Sequence, residues 1–163
     1  MMNLSDLFSL GMDREIPELS ECLHGLAINV GDGNKHISGA VSVDYPDWDA
    51  DSDPLPFSDG SVGTVWAFHF LEHCREPVMV LQEFQRVLSP GGVANIVVPY
   101  YTSQMQAHDL DHKNSFCEET WRTLFSTPYY NKNDIRWEFD IGTNVIMGVA
   151  ERNLALVTQL RRK

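Results

Sequence analysis

The stretch Asn29-Val30-Gly31-Asp32-Gly33 closes a short apolar run with two glycines one residue apart. Glycines there remove the side chains that would hold a ligand off the backbone, and they permit positive φ. No third glycine completes a dinucleotide fingerprint and no full helix follows to hold a pyrophosphate, which favours a ligand without phosphates. Asp44 lies near the end of the next apolar run, where a carboxylate can accept from both hydroxyls of a ribose; a turn-forming role before Pro46 is the alternative. Asp49, Asp51 and Asp53 then precede Pro54-Leu55-Pro56-Phe57 and Asp59-Gly60. Carboxylates beside an apolar ring can accept from an exocyclic amine, or can simply be a solvated acidic loop.

The histidines are the most unusual local feature. Four of the six fall in two pairs spaced i, i+4: His69/His73 in HFLEH and His108/His112 in HDLDH. The first also matches the zinc pattern H-x-x-E-H, which needs a helix to bring both rings to one face. His69 ends a strand-like stretch, so no metal is assigned. Imidazole suits proton transfer at neutral pH, and His69, His108 and His112 are the candidate bases.

These residues need elements to position them. Residues 1–24 read as a weakly amphipathic helical lead-in, with Leu4, Leu7 and Phe8 followed by a turn begun at Pro17. Residues 26–31 and 40–45 read as buried strands, and the eight residues between them are too few for a crossover helix, which takes about a dozen. Residues 46–61 form an acidic, proline-rich loop and 62–70 a third strand. Glu76-Pro77 opens a helix with a face of Val78, Leu81, Phe84, Val87 and Leu88, stopped by Ser89-Pro90-Gly91-Gly92. A strand over 93–99 follows, then a capping box Ser115-x-x-Glu118 for a helix carrying Trp121, Leu124 and Phe125. The remainder offers strands over 136–141 and 144–149, or one across 137–149, then another over 153–160. This predicts an α/β domain with a mostly parallel sheet that closes in an antiparallel pair. The expected organisation is one domain over 1–163, a lead-in over 1–24 and an α/β core over 25–163. If the strands ending near Phe70 and Pro99 are neighbours, both histidine pairs overhang one crevice.

Composition narrows the partners. A chain of 163 residues that is 43% hydrophobic can build a core. Its 12 basic against 23 acidic residues give a net charge of −11, which repels nucleic acid, and Arg161-Arg162-Lys163 reads as a solvated tail. Cys22, Cys74 and Cys117 form no CxxC pair, so reduced thiols and a cytoplasmic location are expected. The first residues lack a signal-peptide pattern, and no run approaches the ~20 apolar residues of a membrane helix.

Taken in order, NVGDG, VSVDY, DPLPFSDGSV, AFHFLEH and RVLSPGGVANIVVP resemble the class I S-adenosylmethionine-dependent methyltransferases, in particular their small-molecule branch. The resemblance spans residues 26–125 and implies a Rossmann-like sheet in a trimmed, minimal methyltransferase core. It implies S-adenosyl-L-methionine as cofactor, with Asn29, Gly31, Asp32 and Gly33 at its methionine end and Asp44 on its ribose. Asp49 or Asp51 with Leu55 would frame the adenine, and His69 and Leu71 would sit below the sulfonium. In this branch, segments like HDLDH edge the acceptor pocket. Three features depart from the family pattern: Asp32 between the glycines, Gly63 where an aspartate is usual, and the shortened first crossover.

The acceptor implied is a small molecule, since the [D/N]PP[Y/F] signature of amino-methylating nucleic-acid enzymes is missing where AFHFLEH stands. Its site would be built from residues 1–24 and 99–116, or completed by a homo-oligomer or a partner subunit. Two further readings stay open. One is a methyltransferase-fold binding subunit without catalysis; the other is a metal-dependent hydrolase using the paired histidines.

Overall fold

The computed structural model describes residues 15–16, 24–33, 35–126, 135–148 and 153–163. Their strands are β1 (Glu15–Ile16), β2 (Leu26–Val30), β3 (His36–Ile37), β4 (Ala40–Val43), β5 (Val62–Phe68), β6 (Leu88–Pro99), β7 (Phe139–Met147) and β8 (Ala155–Arg162). The helices are α1 (Pro77–Val87), α2 (Gln104–His108) and α3 (Glu118–Ser126). The main sheet runs β4-β2-β5-β6-β8-β7, parallel from β4 to β6 and antiparallel through β8 and β7. This is the α/β sheet with an antiparallel end pair that the apolar runs predict, in the Rossmann-like arrangement that the resemblance implies.

All seven residues of β5 are buried, because both faces of this central strand are covered. One face carries Val65 and Ala67 under Leu81 and Phe84 of α1 and Trp121 of α3. The other carries Trp66 and Phe68 beside Val97 and Val157, with Ile37 of β3 packed on them. Helix α1 forms as predicted, with Pro77 in its first turn and Val80, Leu81, Phe84 and Val87 buried.

Four local expectations need correction. Glu15 and Ile16 form β1, a strand parallel to β3, where a helical lead-in was expected; residues 1–14 and 17–23 lie outside the described residues. The chain passes from α1 straight into β6, so Ser89-Pro90-Gly91-Gly92 lies inside that strand, where the ladder to β5 shifts register. Helix α3 starts at Glu118, and its entry is held by Thr120 Oγ1 accepting from the Cys117 N–H (3.0 Å) rather than by Ser115. Finally, the basic end is not a solvated tail. Arg161 Nη1 donates to the Gly91 carbonyl (3.0 Å) and Arg162 Nη1 to the carbonyls of Arg86 and Leu88, while Lys163 pairs with Asp140 (3.2 Å). Of the two options for residues 137–149, the single strand holds, with a register shift across Gly142.

The crossover from β2 to β4 is residues 31–39, and its described residues contain no helix. It is braced from inside: Asn29 Nδ2 donates to the Lys35 carbonyl (2.6 Å), and the Asp32 carboxylate accepts from His36 Nδ1 (2.9 Å) and the Ser42 hydroxyl. Gly63 also has a structural cause. A Cβ there would lie 1.6 Å from the His24 carbonyl oxygen, so close backbone approach at the start of β5 demands glycine.

The carboxyl-terminal half of the acidic loop over 46–61 is held by a clamp on α1. Arg86 donates to the carbonyls of Leu55 (2.9 Å) and Phe57 (2.8 Å) and to Asp59 (2.8 Å), and Glu83 accepts from the Leu55 N–H (2.8 Å). The hydrogen bond from Arg86 holds the Glu83 carboxyl below the usual carboxylate range, against the opposing effect of its burial. Arg86→Ala strands two carbonyls and a carboxylate and should cost about 2–3 kcal/mol in urea denaturation. Because the folded pKa of Glu83 is the lower one, its contribution is complete above the ordinary glutamate pKa of about 4.3 and disappears as pH falls through the depressed folded value. A Glu83→Gln variant should therefore be less stable than the wild type at neutral pH and equal to it in acid.

Candidate active site

The site forms at the carboxyl ends of the parallel strands, where an open α/β sheet places its ligands. Its pivot is His69, the first residue beyond β5, which has φ 51° and donates its backbone N–H to the Val97 carbonyl (2.8 Å). A left-handed histidine is uncommon and turns the chain sharply. A 3-10 turn over Leu71–His73 follows, and the five residues of HFLEH separate. Phe70 lies against Gly31 and Trp48, Leu71 enters the core, Glu72 is buried, and His73 faces two cavities.

The first cavity, of about 140 Å³, is lined by Asp44, Tyr45, Trp48, Asp49, Asp51 and Phe70, together with His73 and Cys74. Asp44 accepts from the backbone N–H groups of Gly33 (2.8 Å) and Tyr45 (2.8 Å), which fixes its carboxylate at the cavity wall. Gly31 (φ +63°) donates to the Val43 carbonyl (2.9 Å), and the Phe70 ring occupies the place of its missing Cβ, 2.0 Å from where that atom would stand. Gly33 (φ +54°) faces open space. Asp51 accepts from the Arg75 N–H (2.8 Å) and Asp53 lies outside this cavity. Burial pushes the Cys74 thiol up to about 12, with Asp51 and Glu72 adding to the effect, so it is no nucleophile.

The second cavity, of about 330 Å³, is lined by Lys35, His69, Glu72, His73, Met105, His108, Asp109 and His112. Both histidine pairs thus overhang one crevice, but the rings that meet are His73 and His112, edge-on with centroids 4.7 Å apart, and not the i, i+4 partners. His108 Nδ1 donates to the Gln104 carbonyl (2.8 Å), which leaves Nε2 as its lone-pair nitrogen. Burial lowers the pKa of the Lys35 ammonium, with Glu72 opposing. The Asp109 carboxyl is held below its usual range by the Asp111 N–H, with His112, His73 and His108 adding to it.

Several sequence-derived site residues have other places. Asn29 is 1% exposed and shapes the crossover from behind, and Asp32 is spent on His36 and Ser42. Leu55 (2%) and Leu71 (0%) are core side chains, because the clamp on α1 turns the first inward and the 3-10 turn the second. The apolar wall beside Asp44 comes instead from Trp48 and Phe70; the available signal was one aromatic residue within the acidic loop and another just past the strand that follows it.

The glycines give a direct test. Gly31→Ala must expel the Phe70 ring as well as adopt a left-handed backbone, whereas Gly33→Ala meets only the backbone cost of about 1–2 kcal/mol. Urea denaturation should show Gly31→Ala the more destabilised of the two by roughly 1–3 kcal/mol.

Residues 28–96 match the family model described as a methyltransferase domain. Among solved structures, the chain is similar to the YcgJ protein of Bacillus subtilis, with 12% identity, coverage of 99% of each chain and a TM-score of 0.65. It is also similar to the 1,6-didemethyltoxoflavin-N1-methyltransferase of Burkholderia thailandensis, solved with 1,6-didemethyltoxoflavin and S-adenosylhomocysteine. That match has 11% identity, covers 98% of this chain and 79% of the other, and has a TM-score of 0.59. A third match, with 16% identity, covers 94% of this chain and 87% of a chain in the complex between the Haloferax volcanii Trm112 methyltransferase activator and a methyltransferase, at a TM-score of 0.61. Among the described residues no helix is long and apolar enough to cross a membrane. Residues 28–96 thus match a methyltransferase domain, on a six-stranded sheet of the same fold as these solved structures.

Proposed function

We propose that the protein transfers a methyl group from S-adenosylmethionine to a small-molecule acceptor. One observation carries the reading: the cavity walled by Asp44 and the cavity walled by the histidines adjoin at His73, so donor and acceptor would meet at the carboxyl ends of β5 and β6. The residues present suit the cofactor. The space over Gly33 is open, the Asp44 carboxylate stands at the cavity wall for a ribose, and Trp48 and Phe70 supply an apolar wall. At about 140 Å³ this cavity is smaller than the roughly 300 Å³ at which ligand pockets begin. Half-buried Phe70 is the side chain whose displacement would enlarge it.

When bound, the cofactor supplies an electrophilic methyl group on a sulfonium. The chain's part is to hold donor and acceptor in line and to take the acceptor's proton. His108 suits the second task, since it is exposed on the cavity wall with Nδ1 committed to Gln104 and Nε2 open; His69 and His112 flank it. A second reading, a methyltransferase-fold subunit that turns over only with a partner, draws on the small cavity beside Asp44 and on the activator complex of the archaeal neighbour.

Calorimetric titration with S-adenosylmethionine should show saturable one-to-one binding, weakened at least tenfold in Asp44→Ala. His108→Ala should bind the cofactor normally and lose roughly 100-fold or more in transfer of a labelled methyl group to small-molecule acceptors. Folded protein that binds nothing at millimolar cofactor rejects the proposal. Binding without transfer to any acceptor, restored by an added partner, favours the second reading.

A further inference from the structure

We propose that Glu72, His73 and His112 hold a divalent transition-metal ion in the larger cavity. Each offers one donor atom, and these atoms lie within 4.8 Å of one another. A tetrahedral ion with bonds of 2.0–2.1 Å separates its donors by about 3.4 Å, so closure asks for side-chain movements of roughly an ångström.

Glu72 is the independent observation. Its side chain is 0% exposed, it lines the cavity, and neither carboxylate oxygen has a hydrogen-bond partner. Lys35 lines the same cavity, and the His69 ring places its Nδ1 3.3 Å from Oε1, outside hydrogen-bonding geometry. Buried carboxylates are ordinarily paired or bound to a metal. His112 is arranged as metal-bound histidines are: its side chain is 7% exposed, and Nδ1 donates to the Gln106 carbonyl (3.2 Å), which leaves the Nε2 lone pair free to ligate.

The two segments carrying the donors are stapled together. The Glu72 carbonyl accepts from the N–H groups of Lys113 (2.7 Å) and Asn114 (3.1 Å), and Asn114 Nδ2 donates to the Cys74 carbonyl (2.6 Å). Asp109 and Asp111 each lie 3.7 Å from a ring nitrogen, of His112 and His73 respectively, and add negative charge around the position. Two imidazoles with one carboxylate select zinc and its first-row neighbours over magnesium, and three protein donors leave a coordination position open. That position would take an oxygen of the acceptor; this last step rests on the methyl-transfer reading, while ion binding does not.

The test uses tag-free, chelator-treated protein and the metals alone, without cofactor. Calorimetry should find one Zn²⁺ per chain, and Co²⁺ should give the visible absorption bands of a low-coordinate site. Glu72→Gln and His112→Asn should each weaken binding about 10–100-fold. His24→Asn, at the opposite end of β2, should leave binding unchanged. If His112→Asn does not fold, His73→Asn, on a partly exposed side chain, takes its place. The proposal is overturned if folded wild type binds neither ion at millimolar concentration, if the variants bind as tightly as wild type, or if Mg²⁺ binds more tightly than Zn²⁺.

Discussion

The left-handed backbone of His69 sets the site. Its N–H is committed to Val97 of the neighbouring strand, so the chain cannot continue β5 and must reverse its side-chain directions within one turn. As a result Phe70 meets the glycine loop after β2, Leu71 anchors the turn in the core, Glu72 is drawn under the surface, and His73 stands between both cavities. A side chain in that region of φ, ψ space costs of order 1–3 kcal/mol, which the buried Leu71 and the bonds to the 109–114 segment can offset. Moving this turn would move both cavities together.

The same economy explains the short first crossover. A parallel connection of nine residues has no room for a helix, so its rigidity comes from polar braces that a helix would otherwise supply. Asp32 gathers His36 and Ser42, and Asn29 holds the Lys35 carbonyl. Seen this way, Asp32 between the glycines is what keeps a helix-free loop in a defined shape. Gly63 likewise answers the approach of the His24 carbonyl, so neither departure from the family pattern argues by itself against catalysis.

The sheet was legible because its strands are apolar, short and bounded by glycine, proline and aspartate. The expected strands over 26–31, 40–45, 62–70 and 93–99 all overlap observed ones, and α1 follows from its 3–4 spacing. What stayed hidden depends on backbone direction. The resemblance puts Leu55 and Leu71 at the ligand, yet a clamp 31 residues away and one left-handed residue turn their side chains into the core. The i, i+4 histidine spacing was equally misleading: it suggests a helical pair, while the contact that forms, His73 with His112, joins residues 39 apart through bonds between backbone and side chains. Arg162 shows the converse error, since a basic run at a chain end carries no mark that its guanidinium will cap the carbonyls of Arg86 and Leu88.

The net charge of −11 acquires a location. Of the aspartates between 44 and 59, Asp59 is spent on Arg86 and Asp51 is shared with Arg75, while Asp44 and Asp49 keep lone pairs toward the smaller cavity. Glu72, Asp109 and Asp111 continue the negative charge into or beside the larger one. A concave surface with a net negative charge and apolar walls concentrates counter-charges far better than the same charges spread on a flat surface, even with Lys35 on the wall of the larger cavity. A sulfonium and a metal ion are both cations, so a single field direction serves the methyl donor and the ion. Buried Glu72 bears the largest share of the cost, because two carboxylate oxygens without hydrogen-bond partners are stable only beside compensating charge, which the Lys35 ammonium supplies in part. Removing the carboxylate should thus relieve the fold and weaken the site at once, the pattern expected where binding and stability compete for one residue.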